Sequence, residues 1–261
     1  MRNGATAEEA LRILVREDPN PELRQVGMVD ARGNAATWTG EEAFEWRGGL
    51  VGQAGGGPRA AGPGVVVAGA GYAAQGNILV SEATVQAMAR TFEAAEGPLA
   101  ARLLAALVAG GAAGGDRRGE QSAALVVHRA GAGYDGSDVI VDISVYDHPT
   151  PLAELERLYR LNDLYFTDSR PENMTPVTPE IARELQEIWI ERGFYDGPAD
   201  GEVDAEFQRI LVDFMGWENY DLRIDEVQNV DLAAGETLMI DREVLEDIRA
   251  VYREGRWRPR E

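Results

Sequence analysis

The chain has 261 residues, 44% of them hydrophobic, with a net charge of −20 and a pI near 4.5. That is enough apolar material for one large domain or two modest ones. It is too acidic for the cationic footprint that nucleic acid or an anionic membrane surface requires. Cys and Lys are both missing, and His128 and His148 are the whole imidazole complement. These absences exclude disulfides, thiolate nucleophiles, lysine Schiff bases, P-loops and Cys- or His-rich metal centres. No cofactor and no metal is expected.

Thr6-Ala7-Glu8-Glu9 has capping-box spacing and predicts a helix with Leu11, Leu14 and Val15 on one face. Asp18-Pro19-Asn20-Pro21 ends it. Leu23 to Asp30 predicts a strand that turns at Ala31-Arg32-Gly33-Asn34 and pairs with Ala35 to Thr39. The glycine-rich segment 48–64 reads as a loop or a link to the next strand. Val65 to Ala74 reads as one buried strand. Gly69-Ala70-Gly71-Tyr72-Ala73-Ala74 within it fits a loose dinucleotide-binding string. Its helix cap comes only at Ser81, so glycines packing a strand are the better reading.

Ser81 predicts a helix carrying Val85, Met88, Ala89 and Phe92, and Pro98 starts another through Leu103, Leu104, Leu107 and Val108. The charged loop Gly114-Gly115-Asp116-Arg117-Arg118-Gly119-Glu120 then feeds a strand from Ser122 to His128, and Val139 to Val145 forms a second. Asp147-His148-Pro149 makes a corner, followed by a helix from about Leu152 to Asn162. The Pro-, Thr- and Asp-rich region near Tyr165 to Pro179 reads as a domain boundary. Beyond it, Thr178-Pro179, Val203 and Asp241 mark three further helices. From residue 176 onward, 10 Arg face 22 acids, so this helical part holds more than half of the net charge. No apolar run reaches the ~18 residues of a membrane span, and no membrane insertion is expected.

Several side chains are candidates for a site. Gln75 and Asn77, near a strand end, offer paired amide donors for an oxyanion, or the Gly-Asn pair is turn chemistry. Asp116, Arg117 and Arg118 suit a carboxylate or other anionic ligand. The same three residues suit an internal salt bridge that shapes the loop. Gln121 and Ser122 lie where that loop enters its strand. In the helical part, Phe194 and Tyr195 beside Asp200-Gly201 suit a shallow carbohydrate or peptide groove; alternatively one aromatic plugs the three-helix core, Phe194 being the better fit for that, and Gly201 makes the turn, with Tyr195 open to either.

Five separated motifs occur together: Leu23-Arg24-Gln25-Val26-Gly27, Gln75-Gly76-Asn77-Ile78-Leu79, Glu96-Gly97-Pro98-Leu99-Ala100, Gly114 to Gly119, and Gln121-Ser122-Ala123-Ala124. With the Asp147-His148-Pro149 corner they resemble the DUF1028 family across roughly residues 5–162. The C-terminal part resembles the peptidoglycan-binding domain that some members of the family carry. That likeness rests on Leu185 through Trp189, Gly193-Phe194-Tyr195-Asp196-Gly197-Pro198, Asp200-Gly201 and Trp217-Glu218-Asn219-Tyr220.

The resemblance implies an α+β protein. Residues 1–163 would form an N-terminal-nucleophile (Ntn) hydrolase-like αββα sandwich, incomplete at its N-terminus. Residues 164–177 would be a linker, and 178–261 a small all-α domain for cell-wall binding through Tyr195 and Asp200. Members of the family begin with two further strands, and an Ntn hydrolase uses an N-terminal Thr, Ser or Cys as nucleophile. Met1-Arg2-Asn3-Gly4 supplies none of these. The expected function is that of an Ntn-hydrolase-like amide-bond hydrolase or an inactive relative, with peptidoglycan as partner. The alternative is a non-enzymatic self-assembling protein, a homo-oligomer or filament held by sheet edges and the acidic domain. A cytoplasmic place follows if Met1 is the true start, and the cell envelope or exterior if an upstream segment exists.

Overall fold

Thr6 closes the first helix as its spacing predicts. Its hydroxyl accepts from the Glu9 N–H at 3.2 Å, and the Glu9 carboxylate accepts from the Thr6 N–H at 2.8 Å. In this computed structural model, which describes residues 4–257, the helix is α1 (Ala7–Glu17). Ala7, Leu11 and Val15 form the inward stripe. Leu14 lies off that stripe and is 52% exposed, because an i, i+4 row is the narrower face of a short helix.

Two compact units divide the chain, one running up to Ala132 and including Asp138–Arg157, the other Gly133–Ser137 and Leu158 onward. The first contains strands β1 (Gln25–Val29), β2 (Asn34–Thr39), β3 (Gly48–Gln53), β4 (Gly56–Ala61), β5 (Val67–Ala70) and β6 (Ala73–Gly76). They form two antiparallel sheets, ordered β1-β2-β5 and β4-β3-β6. Helices α2 (Ala83–Ala94) and α3 (Leu99–Ala112) follow, then a hairpin of β7 (Ala123–His128) and β8 (Val139–Val145).

The packing is helix on sheet on sheet on helix. α1 covers β1-β2-β5 through Leu11, Ala36 and Trp38. Ala35, Val51, Ala61 and Val67 join the two sheets, and Leu50, Val85 and Ala89 seat α2 on the second sheet. β2 is therefore covered on both faces, and residues 35–39 are all buried rather than alternating. Each fully buried large side chain here contributes about 1.5–3 kcal/mol.

Residues 48–61 differ from the expected loop: they are the hairpin of β3 and β4. On the other side of β3, glycine admits the close approach of β6. A Cβ at Gly49 would stand 2.8 Å from the Ala74 carbonyl of the neighbouring strand. The single strand expected over 65–74 is two strands. Gly71, at φ +81°, turns the chain from β5 in one sheet to β6 in the other.

The second unit is helical, with a short two-stranded ladder. α4 (Pro151–Phe166), which belongs to the first unit up to Arg157, leads into β9 (Met174–Pro176), α5 (Pro179–Arg192), α6 (Ala205–Trp217), α7 (Asp225–Gln228), β10 (Met239–Asp241) and α8 (Arg242–Glu254). Thr178, Asp204 and Asp241 cap α5, α6 and α8 with side-chain oxygens, and Gly193 ends α5 in the left-handed conformation. Trp189, Leu185, Phe207, Leu211, Phe214 and Ile248 form its core. Leu164 and Val177, at the two ends of the segment expected as a linker, are buried in that core. The fold is α+β, with a helical C-terminal region.

Among the described residues no helix is long and apolar enough to cross a membrane. None of their His, Cys, Asp and Glu side chains gather into a group able to hold a metal ion.

Candidate functional site

The polar interior of the first unit is built on Gln25. Its Nε2 donates to Thr39 Oγ1 at 2.9 Å and to the Gly76 carbonyl at 2.9 Å, and its Oε1 accepts from Asn77 Nδ2 at 2.9 Å. Asn77 is thus held inside the fold by another amide. Gln75 lies nearby, its Oε1 accepting from Thr37 Oγ1 at 3.4 Å. Gly27 gives the Gln75 amide its room, because any Cβ there would collide with it.

The charged loop runs beside the chain that leaves β6. The Arg117 N–H donates to the Ile78 carbonyl at 2.8 Å, and the Val80 N–H donates to the Gly115 carbonyl at 3.1 Å. Asp116 takes a bidentate contact from Arg118, at 3.0 Å from Nε and 2.8 Å from Nη2. That hydrogen bonding holds the Asp116 carboxyl below its ordinary value, against the desolvation that raises it. Arg117 is exposed. Gln121 turns away to Asp147, donating to Oδ1 at 3.0 Å. Its carbonyl accepts from the His148 N–H at 3.0 Å, which fixes the corner.

Three of the candidates line one open cavity of about 340 Å³: Gln75, Asp116 and Ser122, together with Thr84, Met88, Leu107 and Glu120. A neighbouring cavity of about 300 Å³ shares Met88, Leu107 and Ala124 and is walled by Tyr72, Phe92, Leu103 and Val126. The two make one groove, apolar at the α2–α3 side and polar at the loop end. β6 and β7 border it, and each has a ladder partner on one side only. Asn77, Arg117, Arg118 and Gln121 do not line it. Met1, on which the question of an N-terminal nucleophile turns, lies outside the described residues.

Gln25 and Glu120 were not singled out from the sequence. Gln25 stands in a motif of the family resemblance. Glu120 stands in the charged loop, and its carboxylate approaches Gly111 and Gly115 so closely that a Cβ on Gly115 would meet it at 2.6 Å.

The second unit holds a smaller cavity of about 30 Å³, lined by Tyr195, Asp200, Gln186, Trp189, Glu202 and Glu206 among others. Both residues anticipated for this part therefore meet at one place. Gln186, on α5 and only 3% exposed, supports the turn. Its Nε2 donates to Asp200 Oδ1 at 2.9 Å, and its Oε1 accepts from the Gly201 N–H at 2.8 Å. Asp200 also accepts from the Glu202 N–H at 2.9 Å. The Glu202 N–H and the Gln186 amide keep its carboxyl below the usual range. The Tyr195 phenol is pushed up by desolvation and by the charges of Asp200, Glu206, Asp204 and Asp196, so it stays a protonated donor.

Known proteins place both parts. Residues 165–245 match the family model described as "Putative peptidoglycan binding domain", a range that contains the Tyr195–Asp200 cavity. No curated protein matches the chain. A DUF1028 protein from Silicibacter pomeroyi, known from its crystal structure, is similar at 27% identity and a TM-score of 0.46, over 62% of this chain and 62% of that one. The chain thus spans less than two thirds of that protein. Residues 1–155 match the model described as "Family of unknown function (DUF1028)", and the chain belongs to that family.

Proposed function

We propose that this is a wall-associated DUF1028 protein whose second unit grips peptidoglycan at the Tyr195–Asp200 cavity. Its first unit, on this reading, offers the groove between β6 and β7 to an amide-bearing ligand, in the manner of an Ntn-hydrolase relative. The observation that carries the proposal is a coincidence of place. The stretch that matches the peptidoglycan-binding model encloses a cavity with an aromatic ring, a fixed carboxylate and a buried amide support. Ligand sites in general combine aromatic and apolar surface with a few placed polar groups. In the first unit, Gln75 and Ser122 stand at the polar end of the groove as donors for a ligand carbonyl, with Asp116 held ionised beside them. The site belongs at the cell envelope on this reading.

Cosedimentation of the full chain with purified sacculi tests the wall-binding part. Retention well above that of a size- and charge-matched acidic protein is expected. Retention equal to that control overturns it.

A second reading is favoured by one specific feature. β6 and β7 expose unpaired edges on the same apolar groove, and Val126 is half exposed there. Unpaired edges template association with another strand, so self-assembly is the competing function. Sedimentation velocity decides it: a monomer that persists at high concentration removes this reading.

A further inference from the structure

The groove of the first unit is walled by strand edges rather than strand faces. A face shows alternate residues to a cavity, because successive side chains of a strand point to opposite sides. Here consecutive residues do the lining. Ala73 and Ala74 of β6 stand with Ala124, Leu125 and Val126 of β7 at the apolar end, and Ser122, Ala123 and Ala124 stand at the polar end. Among the described residues β6 pairs with β3 alone, and β7 with β8 alone.

The register shows which main-chain groups of β6 face the groove. The Gly52 N–H donates to the Tyr72 carbonyl at 3.0 Å. Along an antiparallel ladder, pairs that exchange bonds alternate with pairs that do not. The pairs Leu50–Ala74 and Gly48–Gly76 therefore carry the bonds to β3. Ala73 and Gln75 turn their N–H and C=O groups the other way, into the groove.

The two edges run in opposite directions. β6 advances from Ala73 at the apolar end to Gln75 at the polar end, and β7 from Ala123 at the polar end to Val126 at the apolar end. A single strand laid between them is parallel to one edge. Two strands joined as a hairpin are antiparallel to both, which is the more stable pairing. Met88 and Phe92 of α2 and Leu103 and Leu107 of α3 line the same groove, so every second residue of an inserted strand meets apolar surface. At the polar end Asp116 is answered by Arg118. No Arg or His of the described residues pairs with the exposed Glu120 carboxylate there, and a basic residue of the ligand suits it.

We propose that this groove is a strand-addition site that takes a two-stranded hairpin of a partner polypeptide, apolar at alternate positions and basic where it reaches Glu120. Main-chain bonds to the two edges supply affinity, and the pockets along α2 and α3 supply specificity. The proposal rests on the reading of the groove as a site for an amide-bearing ligand, and it identifies those amides as main-chain ones.

The test titrates the full chain with three synthetic hairpins of one sequence, with Val and Thr alternating, an Asn-Gly turn and Arg at the open end. One is all-L, one is its all-D mirror image, whose strands twist the wrong way, and one is all-L with N-methyl groups on the outward-facing amides. The all-L hairpin is expected to bind at least about tenfold more tightly than the other two, which lose the edge bonds. Val126→Arg, at a half-exposed place on β7, should weaken it by a similar factor with the thermal midpoint unchanged. Equal affinity for the three hairpins, abolished by Val126→Arg, overturns strand addition and leaves the groove standing as a ligand site. A monomeric chain that binds none of them overturns both. A dimeric chain that binds none and becomes monomeric as Val126→Arg assigns the groove to a second copy and overturns the hairpin.

Discussion

Asn77 donates its side-chain amide to Gln25 Oε1 at 2.9 Å, across 52 residues of chain. Gln25 in turn ties the end of β1 to Gly76 at the end of β6, and so couples the two sheets. The pair is a frame for the groove. Gln25→Leu removes the hydrogen bonds to Thr39, Gly48, Gly76 and Asn77 and strands the Asn77 amide in a half-buried place. A loss of about 1–3 kcal/mol is expected. Urea unfolding of the variant, with an unchanged denaturant slope, checks it.

Arg223 and Asp241 form a fully buried ion pair at 2.5 Å, and Arg223 also donates to Thr167 Oγ1 at 3.1 Å. Removing one partner leaves the other charge without compensation. Arg223→Met should cost about 3–5 kcal/mol. The double variant R223M/D241N removes the buried charge, while the amide that replaces the carboxylate keeps an oxygen for the N-terminus of α8. It should therefore recover part of that loss. Thermal melts of both variants decide, and a double variant less stable than the single would contradict the electrostatic account.

Asp30 organises the turn between β1 and β2. Its carboxylate accepts from Asn34 Nδ2 at 2.7 Å and from the N–H groups of Asn34, Arg32 and Ala7. Those bonds, led by the Asn34 side chain, lower its pKa to about 2. A depressed folded-state value means the unfolded chain binds the proton more readily. The stabilisation is therefore complete above the unfolded value near 3.8 and is lost as the pH falls through about 2. The advantage of the wild type over Asp30→Asn should be constant from pH 7 to about 5 and shrink between about 4 and 2. Chemical unfolding at a series of pH values measures it.

Gly201 sits at φ +81°, and a Cβ there would stand 2.5 Å from the Pro179 carbonyl. Its N–H also anchors Gln186. Gly201→Ala should destabilise the second unit by about 1–3 kcal/mol and weaken wall binding by displacing Asp200. Gln186→Glu, which keeps the shape but places a carboxylate beside Asp200, should weaken the turn as well. A melting profile paired with sacculus binding separates the fold effect from the site effect.

Much of the fold was legible because local chemistry and final structure agree. Thr6, Thr178 and Asp241 cap helices as their positions suggest, and Gly193 stops α5. The hairpin of β3 and β4 was not legible. Gly48, Gly49, Gly52, Gly56 and Gly57 erase the alternation that marks a strand, and only at some of them does packing demand glycine: the Ala74 carbonyl of β6 at Gly49 and the Ala70 carbonyl of β5 at Gly52 leave no room for a Cβ. Val65 to Ala74 reads as one apolar run because sequence patterning does not record which of two sheets a strand joins.

The candidate site was legible in part. Gln75, Asp116 and Ser122 meet in one cavity, as do Tyr195 and Asp200. Arg118 closes on Asp116, the salt-bridge arrangement left open by the sequence. Gln25 and Gln186 were not read as site residues. A buried amide looks like any surface Gln until its hydrogen-bond partners are known.

The most direct test of the account is cosedimentation of the full chain, and of Tyr195→Phe, with purified sacculi. Wild-type retention well above a size- and charge-matched acidic protein, and severalfold weaker retention of Tyr195→Phe, which keeps the ring at the cavity and removes its hydroxyl, is what the account predicts. Retention of the wild type at the level of the control would contradict it.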